Sequence, residues 1–178
     1  MIDPIDPGWG PAFPIALGIL ALRRPSGSIL IVMRAAVLVV EIATAFLAVV
    51  AGLLSLEEAG RGEVAARGVL GAAILAATAV IVVTGREPLD LQTEGHLGAA
   101  LFTVTMRRVV AAAAVGAVGL LLSWVAGTGW YAVFGTVAVM VLLVVVAPTR
   151  LRLKTWQAEV TAAGSEFVVL KALSIPYR

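Results

Sequence analysis

Residues 29–55 read ILIVMRAAVLVVEIATAFLAVVAGLLS, an apolar run broken only by Arg34 and Glu41. A bilayer core of about 30 Å takes roughly 20 residues of helix, so this run is long enough to span. Three more runs follow the same rule without a charge between them: 68–84, 109–126 and 131–147. Runs of this length and apolarity read as membrane spans rather than as buried helices of a water-soluble domain.

The composition agrees. Of 178 residues, 61% are hydrophobic and 13% charged, against about 45–50% and about 25% in soluble domains. Mean hydropathy is +1.03. A soluble enzyme, a disordered chain and a nucleic-acid-binding domain are excluded on this basis. There are no cysteines and one histidine, His96. Thiolate metal sites, Fe–S ligation, a Cys nucleophile and multi-His metal sites are thereby excluded. The start, MIDPIDPGWGPAFP, carries Asp3 and Asp6 and no base before Arg23. It does not read as a cleavable signal, which opens on a positive region.

The expected fold is therefore an all-α integral membrane protein with four transmembrane helices in two antiparallel hairpins. Residues 1–28 form an N-terminal segment, 29–148 the four-helix domain (about 29–55, 68–84, 109–126 and 131–147), and 149–178 a cytoplasmic amphipathic tail. Ala12–Leu22 is too short to span at about 1.5 Å per residue. It reads as an interfacial or re-entrant helix, with a distorted fifth span recruiting Trp9 as the alternative. The AGTG link near 126–129 makes the last two spans antiparallel neighbours. GHLGAALFTVTM (95–106) reads as an interfacial helix or an extension of span three. FVVLKAL (167–173) reads as a short helix or strand on the inner face. Residues 68–89 and 132–153 align without gaps, pairing Gly71 with Gly135 and Arg86 with Arg150, a weak internal echo.

Basic residues set the expected orientation. Eleven of the 13 fall on one side of the four spans, and only Arg61 and Arg67 on the other. By the positive-inside rule both termini are cytoplasmic. Trp124, Trp130 and Tyr131 bracket the outer turn, where amphipathic rings favour the headgroup level. Arginine-over-lysine and alanine-rich usage fits a bacterial coding sequence, hence the bacterial cytoplasmic membrane.

Glu41 is the most informative residue, because a carboxylate within a span is costly and faces protein or water. Arg34 lies two turns earlier on the same helical face, and Arg107 and Arg108 fall at the same inner level. These four are the intramembrane charge candidates. Glu41 reads either as a structural ion pair or as a protonatable group on a conduction path. His96, in TEGH, reads as a solvated or capping residue at a helix start rather than as a haem ligand or pH sensor. Ala48/Gly52, Ala72/Ala76, Ala73/Ala77 and Ala112/Gly116 are small-xxx-small pairs that permit close helix approach. No nucleophile elbow, P-loop, dinucleotide fingerprint or zinc motif occurs, which points away from an enzyme.

The expected function is a non-catalytic structural or accessory subunit of a larger membrane complex. A transporter or channel component using Glu41 is the alternative. The expected partners are membrane lipids and either other membrane subunits or further copies of this chain, with no nucleic acid. No cofactor is expected, although small-residue grooves leave room for a bound lipid or quinone.

Overall fold

The computed structural model describes residues 6–21, 27–54 and 63–177. Every regular element among them is helical: α1 (Ala12–Leu20), α2 (Ile29–Leu54), α3 (Glu63–Thr84), α4 (Glu94–Ala126), α5 (Trp130–Val146), α6 (Arg150–Ala162) and α7 (Val169–Leu173). Arg23, Arg24, the connection carrying Glu57, Glu58 and Arg61, and Arg178 lie outside the described residues. Three helices, α2, α3 and α4, are long and apolar enough to cross a membrane. A fourth crossing is available if α5 and α6 are counted together across their break.

Helix ends follow from backbone chemistry. α1 has nine residues, about 14 Å of rise, under half of the roughly 30 Å that a crossing requires. α2 has 26 residues, about 39 Å. α5 stops at Val146, and Pro148, which has no N–H and disfavours helical backbone before it, accounts for the stop. α6 then restarts behind Thr149, whose side chain accepts from the Arg152 N–H.

Two of the expectations resolve differently in detail. Residues 95–106 are neither a loop nor a separate interfacial helix but the first third of α4, which runs 33 residues without interruption. No proline lies between Pro88 and Pro148, and arginine is a good helix former, so Arg107-Arg108 marks a hydropathy edge without breaking the helix. The 167–173 cluster forms the short helix α7. The echo between 68–89 and 132–153 stops past its arginines, since Arg86 sits in a turn and Arg150 opens a helix.

The chain divides into two compact units. The first joins residues 1–39, 87–106 and 147–178. Its larger core gathers Ile29, Leu30 and Met33 of α2, Leu97 and Leu101 of α4, and Leu153, Trp156 and Val160 of α6, with Val169, Ala172 and Leu173 of α7. The i, i+3, i+4 and i+7 spacing in α6 and α7 turns one face of each inward. The C-terminal segment is stitched to the start of α2, with Ile29 N donating to Ile175 O at 3.0 Å and Tyr177 N to Gly27 O at 2.9 Å. A second cluster seats Ala12 and Ala16 of α1 against Ala35 of α2.

The second unit comprises residues 40–86 and 107–146. In it α4 and α5 form a tight antiparallel hairpin. A Cβ placed on Gly119 would meet Tyr131 O at 2.6 Å and the Gly135 Cα at 3.1 Å. Ser123 Oγ accepts from Ala132 N at 2.6 Å, closing the turn. Thr136 Oγ1 donates to Thr44 O at 3.2 Å, tying α5 to α2.

This packing makes the two glycine classes separable. Gly119→Ala should lower the detergent-solubilised melting temperature, since overpacking typically costs about 1–3 kcal/mol. Gly68→Ala, with open space at its Cβ, should hold or raise it, helix-interior glycine costing roughly 0.5–1 kcal/mol against alanine. Equal effects of the two substitutions would contradict the described α4–α5 contact.

Candidate functional site

Arg34 is the fifth-last residue anyone would choose to bury, being permanently charged, yet it is 1% exposed in the first unit. Its guanidinium is fully engaged. Nη1 donates to Asp6 Oδ1 and to Gly8 O, both at 2.6 Å. Nη2 donates to Asp6 Oδ2 and Pro148 O, both at 3.1 Å, and Nε to Pro148 O at 3.3 Å. The Trp9 ring lies 5.3 Å from its central carbon, a cation–π contact. The Asp6 fork is bidentate, the strong geometry for a charged pair.

The local sequence builds this acceptor set. Asp6-Pro7-Gly8 is a turn-forming tripeptide. Asp6 Oδ1 also accepts from Gly8 N at 2.9 Å, and Gly8 takes φ +72°, a conformation glycine adopts without a Cβ penalty. Arg150 Nε adds a contact to Asp6 Oδ2 at 3.4 Å. The Arg34 hydrogen bonds, outweighing a smaller opposing effect of burial, hold the Asp6 carboxyl at a pKa of about 2 against its ordinary 3.8.

Glu41 and Arg34 fall in different units, seven residues apart on α2. Glu41 is half-buried, flanked on its helix by buried Thr44 and exposed Phe46. Among the described residues no hydrogen bond or ion pair reaches its carboxylate. Of the paired arginines, Arg107 is exposed and Arg108 is 3% exposed in the second unit. Arg108 Nε donates to Thr84 Oγ1 at 3.0 Å, in the last turn of α3, where the helix dipole favours a cation.

His96 is exposed in the first turn of α4, its N–H donated to the N-cap hydroxyl of Thr93 at 3.1 Å and its Nδ1 3.3 Å from Asp90 Oδ2. Among the described residues no group of three or more His, Cys, Asp or Glu is placed to hold a metal. In the second unit a hollow of ≈ 570 Å³ is bounded by Arg67, Gly71, Trp130, Tyr131 and Phe134.

Asp6, Trp9, Pro148 and Gln157 are the residues that sequence reasoning passed over. For Asp6 the Asp-Pro-Gly turn signal was present, but nothing in it names Arg34 as the partner. Gln157 holds the segment before α7, its Nε2 donating to Phe167 O at 3.0 Å and its Oε1 accepting from Val169 N at 2.8 Å.

Fold and site together define an all-helical protein with three to four helices suited to crossing a membrane and a buried arginine clasp. No protein-family model, curated protein or solved structure matches the chain.

The clasp has a definite pH signature. A depressed carboxylate pKa contributes stability that is complete above its unfolded value and lost as pH falls through its folded value. The stability gap between wild type and Asp6→Asn should therefore be constant above about pH 4 and close between pH 4 and 2. Above pH 4 that gap should be about 3–5 kcal/mol, the usual cost of stranding one partner of a buried pair. Chemical denaturation in detergent across this range measures it, and a gap independent of pH would refute the assigned pairing.

Proposed function

We propose that the chain is a non-catalytic accessory subunit of a larger bacterial membrane complex, inserted in the cytoplasmic membrane with both termini cytoplasmic. Glu41 carries the reading. It sits twelve residues into α2, a helix with the length and apolarity of a span. A carboxylate there is costly in hydrocarbon and calls for a donor or a counter-charge. Its carboxylate has none among the described residues of its own chain, and a neighbouring subunit is the source that this reading names.

Two further features support it. The most apolar windows of α2 and α3 are each only 17% buried within the chain. Large apolar side chains such as Phe46, Leu53, Leu75 and Val144 remain exposed, available to lipid and to neighbouring helices. The eleven-to-two distribution of basic residues supports the orientation. The reading requires no cofactor, and the hollow beside Trp130 leaves room for a lipid or quinone.

The same carboxylate favours a second reading, an ion- or proton-coupled transporter or channel component in which Glu41 is the coupling group. One substitution separates them. For an accessory subunit, Glu41→Gln should weaken recovery of defined partner subunits in a mild-detergent pull-down read by mass spectrometry. Recovery of the wild-type chain alone and monomeric would refute the subunit reading. For a transporter, the same variant should abolish cation or proton flux in proteoliposomes at unchanged expression, and unaltered flux would refute that role.

A further inference from the structure

A pocket of ≈ 400 Å³ lies in the first unit between α6 and the segment that leads into α7. Its volume falls within the range of about 300–1,000 Å³ usual for small-molecule sites. Leu153, Val168 and Leu170 supply apolar walls, and Arg150 and Lys154 supply cations. Gln157 fixes the wall opposite α6 by its two hydrogen bonds to 167–169, so the pocket is held by the backbone rather than by loose side chains.

The charge in this pocket is unbalanced. Asp6 borders it, but its oxygens are taken by Arg34 Nη1 and Nη2 and by Gly8 N. The buried Arg34 cancels its charge. Arg150 and Lys154 are four residues apart on α6 and so share one helix face, where like charges repel. Arg150 touches Asp6 through Nε alone, and Lys154 has no hydrogen-bond or ion-pair partner among the described residues. An anion between the two cations removes the repulsion and completes the site.

The apolar walls select among anions. A free inorganic anion gains nothing from Leu153, Val168 and Leu170, whereas an amphiphile buries its chain there. Arg150 follows Val146, the last residue of the apolar helix α5, by four positions. Basic residues just beyond a span sit at the headgroup layer and attract anionic lipid. We propose that this pocket is a binding site for an anionic phospholipid, with the headgroup phosphate on Arg150 and Lys154 and the glycerol–acyl portion against Leu153, Val168 and Leu170.

The test uses the full chain in phosphatidylcholine nanodiscs doped with phosphatidylglycerol, with retained lipid counted by native mass spectrometry. Wild type should retain phosphatidylglycerol in preference to phosphatidylcholine. Lys154→Gln should reduce that preference about fivefold, and the double change with Arg150→Gln about thirtyfold, from the usual contribution of each basic residue near an anionic surface. Val168→Trp keeps the charge and fills the pocket, and should also abolish the preference. Lys154→Gln should melt as wild type does, since no described residue depends on its ammonium. Preference unchanged in Lys154→Gln overturns the proposal. Preference lost in Lys154→Gln but retained in Val168→Trp overturns it in favour of diffuse surface attraction. Displacement of the lipid by inorganic phosphate overturns it in favour of a soluble anion.

Discussion

A guanidinium that cannot lose its proton, buried to 1% exposure in an apolar helix, dictates how the first unit is assembled. Such a group is tolerable only if its donors meet acceptors. Arg34 meets them by recruiting chain from 28 residues before it and 114 residues after it. Asp6 gives a counter-charge, while Gly8 and Pro148 give carbonyls. The Pro148 carbonyl is free for this use because the proline ends α5, so no following helical turn claims it. Three segments remote in sequence are thus brought to the sixth residue of α2, and the small residues Ala12, Ala16 and Ala35 let α1 lie close beside it. A buried ion pair adds little net stability over an apolar replacement of the same shape, while the loss of one partner is severe. The clasp is therefore best understood as fixing which segments meet. The apolar core of Leu97, Leu153, Trp156 and Val160 supplies the burial energy.

How far this was legible in the sequence depends on the range of each interaction. α2, α3 and α5 were readable because unbroken apolar length is a local property, and α3 differs only in starting five residues earlier than its uncharged run. α1 was readable from two prolines at its start and its short span. The continuity of α4 was not, because hydropathy reports where water ends and says nothing about where backbone hydrogen bonding ends. Arg107 and Arg108 change the first without interrupting the second. The Arg34–Asp6 pair was out of reach for a different reason. Periodicity pairs Arg34 with residues three, four or seven away, and so offers Glu41. The acceptors that the fold supplies carry no periodic signal.

The residues after 149 illustrate the same limit. Their sequence shows an amphipathic tail, and amphipathicity alone fits a segment lying on a lipid surface. In the structure the apolar face of α6 is spent on Leu97, Leu101 and Met33, and α7 closes the cluster. The approach is tight, since a Cβ on Gly98 would meet Ala172 O at 2.7 Å. The Gln157 amide holds the link between the two helices by pairing with one N–H and one C=O, as a neighbouring strand would. A tail with these contacts belongs to a folded unit, and its charged face is what remains for other molecules.

The polar groups of the second unit divide by whether a helix can satisfy them. Thr44 and Thr84 return their hydroxyls to the carbonyls of Val40 and Val80, each at 2.7 Å. A hydroxyl has a proton to give, so a helix always offers it an acceptor one turn back. Ser123 and Thr136 use the same chemistry between helices, to Ala132 N and Thr44 O. Arg108 has donors only, and takes the Thr84 hydroxyl as an acceptor near a negative helix end. Glu41, ionised, has acceptors only. Within α2 the N–H groups around it already serve the helix, so a carboxylate at this position cannot be satisfied locally as the threonines are. Its requirement is a donor from outside its own helix. That asymmetry between donors and acceptors, rather than charge as such, separates Glu41 from the other polar residues of these helices.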